Sequence, residues 1–256
     1  MAEIADVDYK KVLISEVGAD GGLGTKWRKI QGFVRQGTAS LQGSAASVTP
    51  HKNVIGGIIK SSSLLGDNNM NLQVGDISAI NRAYLMGGTI ETSADGTNYK
   101  APSLAQSIYR SFMLVGRDNT IDYAVNVKVD AFFARGDNDL AYIQVNGLVE
   151  TPTKEGVEPR GSWENINADA NDIISFSLAE ENGVATISTV THTVAIEVAL
   201  GTVVTALEPL IGVSIGADAV PFSGDAVDFT SPVIYAVESA NGVKQDWTVT
   251  VTVATV

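Results

Sequence analysis

At 256 residues, with 45% hydrophobic and 18% charged residues, the chain can bury one large core or two ordinary ones, and its composition excludes general disorder. The absence of cysteine removes disulfide staples, thiolate zinc sites and cysteine nucleophiles together. Of the net charge of −12, most sits late: residues 171–256 hold ten acids against Lys244 alone, so this part should repel nucleic acid and anionic membranes.

In chain order, Met1 to Asp8 is acidic where a secretory signal would be basic and then apolar, so export by the ordinary route is not expected. No apolar stretch is long enough to span a bilayer, and no membrane partner is expected. The glycines from Gly18 to Gly24 lack the Lys-Ser/Thr pair of a nucleotide loop and read as an ordinary loop. Thr38 to Val48 and Asn69 to Val74 are strand candidates. Between them, Thr49 to Asp67 is rich in Ser and Gly and reads as a long loop containing Pro50, His51, Lys52, Lys60 and Asp67.

Asp76 is placed to cap a short helix, in which Ile77, Ile80, Ala83 and Tyr84 fall at helical spacing and Gly87-Gly88 ends the run. The clearest alternation follows. Ile121, Tyr123, Val125, Val127 and Val129 share one phase, while Asp122, Asn126, Lys128 and Asp130 share the other. Gly136, Asp137, Asn138 and Asp139 make a turn. The return run sets Ile143, Val145 and Val149 against Gln144, Asn146 and Glu150, which predicts a β-hairpin.

The stretch from Thr151 to Ala170 carries Pro152, Gly156, Pro159 and Gly161 and reads as a connector, in which Trp163 would pin the two domains together or anchor a neighbouring subunit. Beyond Asp172, short alternating runs separated by turn residues predict a sandwich, the last run placing Trp247, Val249, Val251 and Val253 in one phase. The expected organisation is a first domain over 1–152, a linker over 153–171 and a sandwich over 172–256.

The chemistry-bearing residues are sparse. His192 lies in an apparent strand run and His51 in a loop, and both read as structural or contact residues rather than catalysts. Asp137 with Asp139, and the acidic stretch Asp218 to Asp228, are better explained by turns than by an acid pair. No catalytic residue, cofactor or metal is assigned, and an enzyme is not expected.

Two resemblances carry the functional expectation. The order of Gly37-Thr-Ala-Ser-Leu-Gln-Gly43, the loop from Pro50 to Lys60, the capped helix Asp76 to Met86, Gly87-Gly88-Thr89-Ile90, Ala101-Pro102 and the hairpin Ile121 to Glu150 resembles the major tail tube proteins of long-tailed, siphovirus-like phages. That resemblance implies a mainly β tail-tube domain of the sandwich or barrel type with one short helix. It also implies homo-hexameric rings that stack into a tube through which DNA passes without specific binding. Asp122, Asn126, Asp130, Gln144, Asn146 and Glu150 would face the lumen, and Pro50, His51, Lys52, Lys60 and Asp67 would reach the next ring. The helix residues Asp76, Ile77, Ile80 and Tyr84 would lie at a subunit contact. Tail terminator, tape measure and baseplate proteins would be partners of a virion tail made in the host cytoplasm.

The second resemblance, from Ile173-Ile-Ser-Phe176 through Pro232-Val-Ile-Tyr235 to Trp247-Thr-Val-Thr-Val251, is to immunoglobulin-like modules of bacterial surface proteins. It implies an outer β-sandwich that would meet host surface glycans. The alternative for the whole chain is a surface adhesin or glycan-binding protein built of two sandwiches.

Overall fold

A computed structural model describes residues 9–30, 34, 38–43, 47–52, 58–64, 67–104, 106–135, 141–164 and 166–255. The chain is mainly β with one short helix, as the alternation implies. It begins with β1 (Tyr9–Glu16), β2 (Arg28–Lys29), β3 (Ser40–Gly43), β4 (Ser47–Lys52), β5 (Ile58–Leu64) and β6 (Asn68–Val74). After α1 (Ala79–Met86) come β7 (Thr89–Ser93), β8 (Gly96–Lys100), β9 (Ile108–Gly116), β10 (Ile121–Ala134), β11 (Tyr142–Glu150) and β12 (Arg160–Trp163). The remaining strands are β13 (Ile173–Ser177), β14 (Thr186–Ser188), β15 (Thr193–Val198), β16 (Leu210–Val213), β17 (Asp218–Val220), β18 (Val233–Glu238) and β19 (Lys244–Val253).

These elements form two compact units, each discontinuous in sequence. One comprises Met1–Gln31, Tyr109–Asn126 and Pro152–Val256; the other comprises Gly32–Ile108 and Val127–Thr151.

In the first unit, β2, β1, β9 and the start of β10 lie side by side, and β12 pairs with β10. Lys11 to Ser15 of β1 are buried one after another, so both faces of this strand are covered. Leu13, Met113, Val115 and Ile121 make a core that also takes in Ala168 and Ala240. The stretch read as a connector therefore contributes to packing: Trp163 on β12 lies against Tyr123, ring centroids 4.3 Å apart.

The same unit holds the sandwich. One sheet is β13 with β16; the other has the order β14-β15-β19-β18-β17. Trp247 and Tyr235 are its largest fully buried side chains. Phe176 meets Phe229 and Tyr235 edge-on, at 6.4 and 6.1 Å between centroids. The Trp247 indole N–H donates to the Asn171 carbonyl at 3.1 Å, which satisfies the one polar atom this ring buries. One pairing departs from the antiparallel rule of the rest: β15 runs parallel to β19, with Val194 opposite Val249 and Ile196 opposite Val251.

In the second unit, the latter part of β10 is followed by β11, β6 and β3 in that order, and β4–β5 and β7–β8 form two separate pairs. The stretch Thr49 to Asp67, expected as a loop, instead contains the antiparallel pair β4–β5, in which Pro50 lies opposite Ser61 and His51 opposite Lys60. The turn expected at Gly136 to Asp139 lies outside the described residues.

The helix corrects its own prediction. Its N-cap is Ser78, whose hydroxyl accepts from the Asn81 N–H, while the Asp76 carboxylate braces the cap by accepting from the Ser78 N–H at 2.9 Å. Asn81 and Leu85 are its buried residues, and Ile80 is 45% exposed. Asn81 is drawn inward because its amide donates to the Asp76 carbonyl at 3.1 Å, a partner that spacing alone does not reveal. The helix ends at Gly87 and Gly88, both at positive φ. A Cβ on Gly88 would stand 2.2 Å from the Lys100 carbonyl oxygen, so both the backbone angle and the space require glycine.

Candidate functional site

The sequence of β6, Asn-Asn-Met-Asn-Leu-Gln-Val, divides cleanly between two faces. Met70, Leu72 and Val74 are fully buried, so Asn69, Asn71 and Gln73 stand on the opposite side of the strand. On β11, Ile143, Val145 and Val149 point inward while Gln144, Asn146 and Leu148 share the outer face. Register then aligns the amides: Asn71 lies opposite Asn146 and Gln73 opposite Gln144. On the other flank of β6, Ser40 lies opposite Asn71 and Gln42 opposite Asn69. The result is a sheet face whose cross-strand neighbours are mostly carboxamides.

Part of this face is tied together and part is open. The Gln73 amide donates to Gln144 Oε1 at 3.0 Å, and Gln144 donates to Asn146 Oδ1 at 3.2 Å. Next to that ladder lies a groove of about 790 Å³, lined by Gln42, Asn69, Asn71, Asn146, Lys128 and Asp130 among others. Its volume falls in the range usual for small-molecule sites. Among the described residues, the side chains of Gln42, Asn69, Asn71, Lys128 and Asp130 have no protein hydrogen bond or ion pair. The floor comes close beneath: a Cβ on Gly147 would stand 2.5 Å from Val127 Cγ1.

Chemically, the groove offers uncharged donors and acceptors in pairs, one cation and one carboxylate. Such an array suits a ligand rich in hydroxyls. Asp130 is the one carboxylate among the described lining residues, whereas glycoside cleavage by an acid pair requires two.

The residues singled out from the sequence are dispersed. Asp130, Gln144 and Asn146 come together on the amide face. Asp122 belongs to the first unit, where it accepts from the Tyr9 hydroxyl at 2.5 Å; burial, then the hydrogen bond to Asp122, push the Tyr9 pKa upward. Asn126 and Glu150 are half-buried, and Asp67 is exposed just ahead of β6. Pro50, His51 and Lys52 lie on β4 and Lys60 on β5. His192 occupies a turn at φ 51° ahead of β15, with its ring edge-on to Trp247 at 5.2 Å.

The acids of the Asp218 to Asp228 stretch are engaged structurally. Asp225 pairs with Arg28 at 3.0 Å, and Asp228 accepts from the Thr230 N–H at 2.9 Å. Asp218 forms a buried ion pair with Lys11, the side chains being 4% and 3% exposed. The Lys11 ammonium also donates to the carbonyls of Glu238 and Ser239, at 3.1 and 3.2 Å. Burial pulls the Lys11 pKa down and the Asp218 pKa up, each against the attraction of its partner. Among the described residues, no three His, Asp or Glu side chains converge as a metal site would require.

Comparison with known proteins locates one similarity. Residues 173–251 match the family model described as "SGBP, N-terminal", SGBP denoting surface glycan-binding protein. Among solved structures, the chain is similar to a protein from Bacteroides thetaiotaomicron named as a glycoside hydrolase: identity is 34%, over 38% of this chain and 28% of that one, with a TM-score of 0.33. A Bacteroides fragilis protein named as secreted is similar at 16% identity over 34% of this chain and 98% of that one, with a TM-score of 0.29. The chain thus spans well under half of the first of these structures. No curated protein matches.

The match corrects the tail-tube expectation. It falls on a surface glycan-binding family and not on a phage protein, and it overturns the stacked hexameric rings, the tail terminator, tape measure and baseplate partners, and the virion location. The physical reason is that the resemblance rested on the order of weak parts. Alternating strands, a capped helix and Gly-rich turns in sequence are what many β-rich chains present.

Proposed function

We propose that the chain is a glycan-binding protein of a bacterial surface, which holds carbohydrate without cleaving it. The observation that carries this reading is the family match over 173–251, which coincides with a sandwich that has its own aromatic core. The amide-lined groove of the other unit supports it, since its lining offers many hydrogen-bonding groups and a single carboxylate. Affinity electrophoresis of the full chain in gels cast with soluble polysaccharides tests the reading, together with a reducing-sugar assay on the same mixtures. Retardation by at least one polysaccharide, with no release of reducing ends, is the expected result. Release of reducing ends would make the protein an enzyme. Free migration in every gel would remove the binding function.

A further inference from the structure

The geometry points to an uncharged oligosaccharide as the ligand, laid across β3, β6 and β11 with its hydroxyls taken by Gln42, Asn69, Asn71 and Asn146. This rests on the reading of the chain as a glycan binder and adds where the glycan sits and of what class it is. Three observations converge. First, the amides are presented in register on three adjacent strands, which lie ~5 Å apart. A carboxamide carries both donor and acceptor at a fixed spacing, so it can satisfy two neighbouring hydroxyls at once. Second, Gln42, Asn69 and Asn71 have no protein partner among the described residues, so their hydrogen-bonding capacity is open to a ligand. Third, Lys128 and Asp130 offset one another within the groove while the chain carries −12 overall. A polyanionic glycan would meet that field with one lysine in its favour, and an uncharged glycan meets no penalty.

Phe132 extends the site. It lies on β10 in the same phase as Lys128 and Asp130, two residues beyond Asp130, or roughly 7 Å along the strand, and is 48% exposed. The C–H face of a pyranose ring is apolar and packs flat against such a phenyl, a use of surface aromatics that adds contact area at little entropic cost. The amides and the phenyl would therefore hold successive sugar units, the amides by their hydroxyls and the ring by a face.

The test uses the full chain in affinity gels containing pullulan, xyloglucan or mixed-linkage β-glucan as uncharged probes, and polygalacturonate or heparin as charged ones. The variants are Asn71→Ala combined with Asn146→Ala, and Phe132→Ala, each checked for a parental thermal transition. Asn71→Asp, nearly isosteric, replaces amide donors with acceptors and serves where truncation disturbs the sheet. We expect retardation by an uncharged probe, unchanged at high salt, and weakened about ten-fold or more in the double variant, as the loss of several hydrogen bonds requires. Equal retardation of parent and variants would overturn the site while leaving glycan binding intact. Retardation by charged probes alone, lost with salt, would overturn the uncharged class. Free migration of the parent in every gel would overturn the reading on which both depend.

Discussion

Burying Lys11 beside Asp218 takes two charges out of water, and the fold offsets this with the pair's attraction and with two carbonyls around the ammonium. Breaking such a pair from one side is costly, because the remaining charge keeps its burial and loses its partner. Lys11→Met is expected to lower the free energy of unfolding by about 3–5 kcal/mol, and Asp218→Leu added to it should recover much of the loss. Urea titration of Lys11→Met, Asp218→Leu and the double variant checks both statements; an additive loss in the double variant would contradict them. Nothing local marks Lys11 in the sequence. Its neighbour Lys10 is chemically identical, and the partner that distinguishes the two lies on β17, far along the chain. β1 offered no alternation to read, because Lys11 to Ser15 are buried one after another, and the partner across the fold was no more legible.

Among the elements, α1 depends most on its first turn. It is an eight-residue helix with Ser78 as its cap and two buried residues, so little holds it besides capping and packing. Ser78→Ala should cost about 1 kcal/mol and speed amide exchange in the first turn, which native-state hydrogen exchange would detect. Asp76 and Ser78 are both competent caps two residues apart, and the sequence offers no physical ground for choosing between them. The outcome, Ser78 capping and Asp76 holding Ser78, depends on a hydrogen bond seen only in three dimensions. By contrast, the two faces of β10 and β11 were readable because a half-buried strand forces a period of two. β4 and β5 escaped notice because Pro50 and a run of serines lack that period, and β12 because four residues are too few to display one. The groove residues on β6 carried a signal that went unused: Asn, Asn and Gln alternate with Met, Leu and Val over the six positions from Asn69 to Val74.

For the molecule as a whole, sequence halves and compact units do not coincide. The N-terminal strand β1 belongs to the unit that contains the sandwich, and Ala240 sits in the same core as Leu13 and Met113. A fragment covering residues 1–171 would expose Lys11 without Asp218 and leave that core uncovered. It is expected to bind a hydrophobic dye and to melt without a cooperative transition. A fragment covering 172–256 keeps a complete aromatic core of its own and should unfold cooperatively in calorimetry. A well-folded 1–171 fragment would show that the ion pair and Ala240 are dispensable.

The parallel pairing of β15 with β19 has a consequence for biogenesis. On the ribosome, β15 and then β18 emerge before β19, yet each has its inner edge matched only by β19, which lies between them. Until residues 244–253 leave the exit tunnel, the nascent polypeptide displays two bare strand borders side by side with a gap where Trp247 belongs. A polypeptide ending before residue 244 would keep both borders unpaired and is expected to aggregate.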